Sequence, residues 1–229
     1  MPRKKEWGLI TEIDSYFDPK NKHVKYAHMN WGPFVMKLKM PNSITKKLLA
    51  EGKKAKQSYN HALAGHLDNQ FKYPQKTMNW FYQEIAPVLH AYRNGHCKYH
   101  GIEDLRVELE AEDLWVNFMK PGDFNPIHTH GGDYSFVYYL DVPKALEKEQ
   151  AAFEGTSAEP GCLMFEYTQQ AKPRWATTGT IIKPQTGDFV MFPALLQHWV
   201  VPFKSKCTRV SVSGNLKIMN RDELHPNYF

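Results

Sequence analysis

The pattern of apolar and polar residues changes from a helical to a strand period near residue 102 of this chain. Upstream, the clearest helix carries apolar side chains three or four positions apart, at Phe81, Ile85, Val88 and Tyr92. We predict that this helix begins after Thr77 and ends at Gly95, since glycine is the usual residue just past a helix end. Downstream, apolar and polar residues alternate, as they do in strands that bury one face.

Three further elements are predicted in the N-terminal third. Residues 34–40 alternate in polarity and predict an early strand. Asn42 or Ser43 is expected to cap a following helix, which Gly52 interrupts. A second helix is expected over much of 53–66. We expect the helices to brace one outer face of the later sheets and to form no site by themselves.

Short predicted strands follow one another through the C-terminal half. They span 105–110, 114–120, 127–130, 134–142, 161–167, 179–183, 188–192, 198–201 and 208–217. Residues 111–113 are predicted to be a turn between the first two. Many short strands separated by glycine and proline are typical of a sandwich or barrel. The sequence therefore predicts one mostly β domain over 1–229, with 1–101 as strand and helical support and 102–220 as the β core.

Composition predicts a soluble globular protein. Hydrophobic residues make up 42% of the 229 residues, which is enough for a core and too many for a disordered chain. The net charge of +5 is mildly basic, and the basic clusters of the N-terminal third fit solvated helix faces, so nucleic-acid binding is not expected. No secretory signal or membrane span is recognisable. Three cysteines without CxxC spacing fit a reducing compartment, so we expect a cytoplasmic protein.

Three histidines form the candidate metal site. His128 and His130 are one residue apart on a predicted strand, so their side chains point to the same side. His198 follows about seventy residues later, just beyond an apolar strand. Imidazole nitrogens that converge from two strands are suitable ligands for a first-row transition metal.

Arg209 lies on a segment in which polar and apolar residues alternate. Arg209, Ser211 and Ser213 occupy one face of the predicted strand, and two valines occupy the other. This polar face is either an exterior face, which is ordinary for an antiparallel sheet, or an inward face beside the third histidine. If it points inward, the buried guanidinium requires an anion, and the carboxylate of a ligand can accept two parallel hydrogen bonds from it.

These residues resemble motifs of the iron(II)- and 2-oxoglutarate-dependent dioxygenases. The resemblance covers about 114–216 and is specific to the prolyl-hydroxylase-like branch and its phage and marine-bacterial relatives of unassigned substrate. Asn117 to His130 looks like the family's strand, Pro-Gly turn and first metal motif. The segment 184–193 followed by His198 resembles the approach to the distal histidine, and Arg209-Val-Ser211 resembles the basic residue and hydroxyl that bind the co-substrate.

The resemblance implies a fold, a ligand set and a reaction. The implied fold is a double-stranded β-helix, also called a jelly roll, braced by helices. His128, His130 and His198 are implied to bind Fe(II). The distal carboxylate of 2-oxoglutarate is implied to contact Arg209, Ser211 and Tyr139, with Asn117 as a further amide for the same co-substrate. The residues assigned to catalysis are His128, His130, His198 and Arg209.

The implied reaction uses O2 to convert 2-oxoglutarate to succinate and CO2 while an unidentified substrate is hydroxylated. A prolyl peptide or an amino acid is the favoured substrate, as a small-molecule or peptide partner. Three aromatic residues are candidates either for a substrate groove or for core packing: Phe124, Tyr134 and Trp199. The oligomeric state is not readable from the sequence.

Two positions depart from the family pattern. The family usually has His-x-Asp/Glu, whereas position 130 is histidine, so Asp133 is an alternative third ligand. The usual co-substrate tyrosine, nine residues before His128, is replaced by Met119. These departures leave open a cupin-like metal-binding protein that recognises a small acid or peptide without turnover, and a zinc hydrolase.

Overall fold

The computed structural model describes residues 9–18, 22–30, 32–100, 108–167 and 179–219, the first two ranges as backbone only. The strands in these ranges are β1 (Leu9–Asp18), β2 (Lys22–Asn30), β3 (Met36–Lys39), β4 (Gln57–Ser58), β5 (Gln70–Lys72), β6 (Leu109–Met119), β7 (Asn125–His128), β8 (Tyr134–Asp141), β9 (Leu163–Glu166), β10 (Gly179–Ile182), β11 (Asp188–Pro193), β12 (Gln197–Val200) and β13 (Arg209–Ile218). The α-helices are α1 (Asn42–Gly52), α2 (Gln75–Tyr99) and α3 (Lys144–Ala151).

Most of the strands form two antiparallel sheets. The larger sheet has the order β3-β11-β8-β13-β6-β5-β4, and the smaller sheet has the order β10-β9-β12-β7. β1 and β2 form a separate two-stranded sheet. The prediction of a mostly β chain with few helices is confirmed.

The two hydrophobic clusters correspond to the two faces of the larger sheet. On one face, α1 and α2 pack through Leu48, Phe81 and Ile85, each of which is fully buried. On the other face, Tyr139 and Val190 of the larger sheet pack with side chains of the smaller sheet. Burial of a large apolar side chain contributes roughly 1.5–3 kcal/mol to folding, so packing of the two helices stabilises the sheet from outside. The helices do not occupy the space between the two sheets, which remains for a site.

The predicted helix over 53–66 is wrong. This segment contains the short strand β4, a 3-10 turn at Asn60–Ala62 and an isolated bridge between His66 and Phe124. β4 pairs with β5, and the stretch between them runs back across the end of the larger sheet. Pairing with a distant strand therefore overrides the helical propensity of the lysines at its start.

The prediction of a helix end at Gly95 is also wrong, because α2 continues through Gly95 to Tyr99. A Cβ atom at Gly95 would lie 2.7 Å from Phe34 Cζ, so glycine is needed for close packing of a ring. α1 begins at Asn42, and its cap position is Pro41 without a side-chain hydrogen bond, so neither Asn42 nor Ser43 is the cap.

The predicted turn at 111–113 is wrong in a way that matters for the site. β6 is continuous from Leu109 to Met119 and pairs with β13 over its length. Asp113 pairs with Asn215, and Ala111 pairs with Leu216, so Glu112 is an extra residue in β6, which is a β-bulge. Bulges are common beside active sites, where they redirect a side chain. The predicted alternation at 105–107 lies outside the described residues.

The remaining predicted strands are present within one or two residues of their expected bounds. The hairpin of β1 and β2 and the helix α3 were not predicted. None of the described helices is both long and apolar enough to cross a membrane.

His96 should make stability depend on pH. Its half-buried ring contacts Phe34, Tyr92 and Tyr134, and burial lowers the pKa of His96 to about 4, from an ordinary value near 6.5. As the pH falls from about 6.5 to 4, the unfolded chain takes up a proton that the folded chain does not, so stability falls through this window.

We expect His96→Phe to remove this part of the pH dependence. The wild type should lose on the order of 1 kcal/mol more than the variant over this window, after allowance for solvent screening of a half-buried ring. Urea unfolding at pH 7, 5.5 and 4 measures the difference. Parallel losses in the two proteins would contradict it.

Candidate metal centre and its cavity

The three predicted metal ligands lie together between the two sheets. His128 and His198 are directly paired across β7 and β12. His130 lies just beyond β7, and its Nε2 is 3.1 Å from His198 Nε2. The possible ligand atoms of all three lie within 4.8 Å of one another. Nitrogens at such separations can bond to one ion, because metal–nitrogen bonds are about 2.0–2.1 Å long.

Local backbone contacts orient two of these imidazoles. His128 Nδ1 lies 2.7 Å from the Pro126 carbonyl oxygen, and His198 Nδ1 lies 2.8 Å from the Leu196 carbonyl oxygen. A carbonyl only accepts, so each Nδ1 donates and each Nε2 is left with a lone pair. Fixing the tautomer through the other ring nitrogen is the usual arrangement for a metal-binding histidine.

Burial favours the neutral form of all three rings. It lowers the pKa of His198 to about 3 and that of His130 to about 4, and it also lowers the pKa of His128. Metal binding requires neutral imidazoles, so the rings are in the correct state near neutral pH.

Asp133, the alternative third ligand, is directed elsewhere. Its Oδ2 accepts a hydrogen bond of 2.6 Å from the Ile218 amide, and its own amide donates to Leu216. Asp133 is not among the side chains clustered around the histidines. The geometry therefore favours His130 over Asp133.

Arg209 and Tyr139 are buried polar groups of the facing sheet. Arg209 is 3% exposed and donates one hydrogen bond to the Gly161 carbonyl at 2.7 Å, while its Nε has no partner in the described part of the chain. Its guanidinium carbon lies 5.4 Å from the centre of the Tyr139 ring. The Tyr139 hydroxyl also has no partner among the described residues.

These two groups have the chemistry of a carboxylate site. Burial raises the pKa of Tyr139 to about 12, so its hydroxyl stays protonated and can donate. Burial lowers the pKa of Arg209, and no described carboxylate is close enough to form an ion pair with it. A buried cation without an anion is unfavourable, so an anionic ligand would stabilise this arrangement.

Asn117 and Ser211 face each other across β6 and β13, and both line the cavity. Asn117 Oδ1 accepts a hydrogen bond of 2.8 Å from Gln70 Nε2, and Asn117 Nδ2 donates a long one of 3.4 Å to Ser213. The amide nitrogen of Asn117 therefore retains donor capacity toward the cavity. Met119 is buried opposite Arg209 and does not line the cavity.

A cavity of about 410 Å³ joins these groups. The three histidines, Asn117, Tyr139 and Ser211 line it, whereas Arg209 lies behind Tyr139 and is not part of the lining. The structure thus brings together all seven sequence-predicted site residues, six of them in the cavity wall and one beside it.

The predicted groove aromatics lie elsewhere. Phe124 stacks on His66, Tyr134 packs against Tyr92, and neither they nor Trp199 lines the cavity. The lining also contains residues that the sequence analysis did not select, among them Tyr59, Gln70, Glu112 and Trp115. Only Trp115 had a usable signal, because it is two residues before Asn117 on the same face of a strand.

Comparison with known protein families identifies the β core. Residues 113–215 match the family model described as "Putative 2OG-Fe(II) oxygenase". This range contains all seven predicted site residues. Over this range the β core is therefore similar to the 2OG-Fe(II) oxygenases, a family named for iron(II) and 2-oxoglutarate. A search of curated proteins found no match.

Several solved structures share the fold. A prolyl-4-hydroxylase from Pseudomonas putida is 14% identical, with 80% of this chain and 92% of that chain covered and a TM-score of 0.51. A Trichoplax adhaerens prolyl hydroxylase in complex with a hypoxia-inducible-factor peptide is 11% identical, with coverages of 82% and 84% and a TM-score of 0.52. HygX from Streptomyces hygroscopicus, with nickel and 2-oxoglutarate bound, is 9% identical, with coverages of 81% and 83% and a TM-score of 0.53.

Two variants should separate the candidate third ligands. We expect His130→Ala to weaken Ni(II) binding at least about 100-fold, because it removes a ligand nitrogen. Asp133→Asn should change it less than about threefold, because the asparagine oxygen still accepts from the Ile218 amide. Calorimetric titration of chelator-treated protein measures both, with His61→Ala on the exposed surface as control. The opposite order of effects would identify Asp133 as the ligand.

Proposed function

We propose that this protein is an Fe(II)- and 2-oxoglutarate-dependent dioxygenase that hydroxylates a small-molecule or peptide substrate, with a prolyl peptide or amino acid favoured. The observation that carries the proposal is one cavity with three neutral imidazoles on one wall and the buried Arg209–Tyr139 pair behind the other. The strand order supports a double-stranded β-helix as the scaffold. β6, β8, β11 and β13 lie in the larger sheet, whereas β7, β9, β10 and β12 form the smaller one.

Each group has a distinct role in the proposed reaction. His128, His130 and His198 hold the iron on one face. Arg209 and Tyr139 donate hydrogen bonds to the distal carboxylate of 2-oxoglutarate, together with the Ser211 hydroxyl. The Asn117 amide donates to the same co-substrate. When bound, iron and 2-oxoglutarate supply the oxidation: substrate C–H, 2-oxoglutarate and O2 give the alcohol, succinate and CO2.

The protein's own contribution is positioning. The imidazoles of His128 and His198 are held by backbone carbonyls, and the Arg209 guanidinium is held by the Gly161 carbonyl. Groups that are already oriented lose little conformational freedom when a ligand binds. The charges of metal and co-substrate also match. Three neutral imidazoles do not compensate the charge of a divalent metal ion, and the doubly negative 2-oxoglutarate would neutralise it.

Turnover of 2-oxoglutarate tests the proposal directly. We expect anaerobically purified protein with Fe(II) and O2 to form succinate from 2-oxoglutarate, and a peptide and amino-acid panel to raise the rate. Arg209→Ala should raise the KM for 2-oxoglutarate at least tenfold while Ni(II) affinity survives. Absence of succinate with and without the panel would leave the non-catalytic or zinc-hydrolase alternatives, and unchanged 2-oxoglutarate binding in the variant would remove Arg209 from the site.

Tyr139→Phe offers a test that does not disturb packing. The hydroxyl has no partner in the described structure, so its removal should not lower the melting temperature of the ligand-free protein. A hydrogen bond to a charged group contributes about 1.5–3 kcal/mol, so 2-oxoglutarate binding should weaken roughly tenfold or more.

Tyr138→Phe is the matched control for this experiment. Tyr138 is the next residue on β8, and its hydroxyl is 2.5 Å from Thr45 Oγ1 on the helical side of the sheet. We expect this variant to lose thermal stability and to keep its affinity for 2-oxoglutarate. Equal 2-oxoglutarate affinity in Tyr139→Phe and wild type, measured calorimetrically with Ni(II) present, would show that the hydroxyl does not contact the co-substrate.

A further inference from the structure

Glu112 is placed at the cavity by the bulge in β6. Because Glu112 is the extra residue opposite Asn215 and Leu216, it joins Asp113 in the cavity lining although the two are neighbours in sequence. In a regular strand, adjacent side chains point to opposite faces. The bulge therefore has a specific consequence, which is to add a second carboxylate to the wall.

The Glu112 carboxylate lies over the turn that follows the metal-binding motif. A Cβ atom on Gly132 would be only 2.6 Å from Glu112 Oε2, so the glycine leaves room for the acid. Gly132 has a φ of +80°, which favours glycine for a second reason. The carboxylate thus lies beside the turn that connects His130 to β8.

Glu112 is the carboxylate at the cavity rim whose negative charge is not balanced by a described ion pair. Its neighbour Asp113 is paired with Lys72 at 2.5 Å, whereas no described residue forms an ion pair or hydrogen bond with Glu112. No lysine or arginine lines the described cavity. A cation entering this cavity would therefore meet the Glu112 carboxylate, while the nearby ammonium of Lys72, 5.1 Å from the centre of the Tyr59 ring, is neutralised by its ion pair with Asp113.

Two aromatic rings extend from the rim toward the histidines. The ring centres of Tyr59 and Trp115 are 5.9 Å apart, and those of Trp115 and His130 are also 5.9 Å apart. Aromatic faces attract cations by about 0.5–1 kcal/mol at exposed sites. The rings therefore provide a wall that suits a positively charged group and its aliphatic stem.

Gln70 provides an independent indication that a donor group enters the cavity. Gln70 is 2% exposed and lines the cavity, and its Nε2 is occupied by Asn117. Its Oε1 is buried and has no partner among the described residues. A carboxylate cannot satisfy this oxygen, because both are acceptors, so the complement must be an N–H or O–H group.

We propose that the substrate of this site carries a protonated amine or guanidinium, which Glu112 recognises at the rim between Tyr59 and Trp115. Gln70 Oε1 accepts a hydrogen bond from a donor of the same substrate deeper in the cavity. This inference rests on the proposed dioxygenase function, since it names the substrate class of that site. It assigns specificity to four residues, of which only Trp115 lies inside the family-matched range, whereas Tyr59, Gln70 and Glu112 lie outside it.

Three amino-acid derivatives that differ in side-chain charge test whether the site prefers a cationic ligand. They are the acetylated amides of arginine, citrulline and glutamate, of which citrulline is a neutral near-isostere of arginine. Binding is measured by calorimetry on protein loaded with Ni(II) and 2-oxoglutarate. We expect the arginine compound to bind at least about fivefold more tightly than the citrulline compound and the glutamate compound to bind most weakly.

Variants then assign the effect to Glu112. Glu112→Gln should reduce the preference for arginine over citrulline to below about twofold, because the amide removes the charge and keeps the size. Glu110→Gln is the matched control, since Glu110 is an exposed residue of the same strand that does not line the cavity. It should retain the full preference. Equal affinity for the three compounds, binding of none of them, or an unchanged preference in Glu112→Gln would overturn the proposal.

The two proposals fail in different ways. A separate titration of the wild type with 2-oxoglutarate and Ni(II), without any of the three compounds, measures the co-substrate site alone. Failure of that titration contradicts the dioxygenase function. Normal 2-oxoglutarate binding without a preference for arginine contradicts only the cation proposal.

Discussion

The antiparallel pairing of β7 with β12 is the constraint on which the candidate metal centre depends. It sets His198 opposite His128, and each ring then donates its Nδ1 proton to the carbonyl two residues earlier in the chain. Backbone hydrogen bonds thus determine both where the rings lie and which nitrogen faces inward. His130 reaches the same point from beyond the strand end, with its own amide bound to the Ala194 carbonyl. Two candidate ligands on paired strands and a third held by a backbone hydrogen bond need little rearrangement to bind an ion.

In the larger sheet, by contrast, several buried polar groups lack hydrogen-bond partners among the described residues. Arg209 and Tyr139 are buried there with unsatisfied donors, and Gln70 is buried with an unsatisfied acceptor. Each such group costs about 1–3 kcal/mol when it has no partner, and more when it is charged. Most buried polar groups in folded proteins have partners, whereas four of the described exceptions belong to residues in or beside this one cavity: Gln70, Asn125, Tyr139 and Arg209. The donors of Tyr139 and Arg209 match an anionic co-substrate, and the acceptors of Gln70 and Asn125 match a different molecule, which is the pattern expected of a site that binds two ligands.

The strands of the β core could be predicted from the sequence because the alternation of apolar and polar residues is visible within each short segment. Alternation over residues 208–217 predicts β13 and also puts Arg209 and Ser211 on one face, and both are buried in the structure. The failures arise where distant residues decide. Gly95 remains inside α2 because Phe34 packs against it, and 53–66 is not a helix because β4 pairs with β5. A bulge at 112 depends on register with β13 and therefore cannot be recognised from the residues 111–113 alone.

The structure also explains why residues outside the family-matched range matter. The range 113–215 contains the proposed metal ligands and the proposed co-substrate groups. Tyr59 and Gln70 come from a segment that forms no helix and adds an edge to the larger sheet through β4 and β5. This edge belongs to the larger sheet, whereas the strands that position the three histidines, β7 and β12, belong to the smaller one. Substrate choice can therefore reside in the added segment and in the Glu112 bulge, while the chemistry remains in the β core.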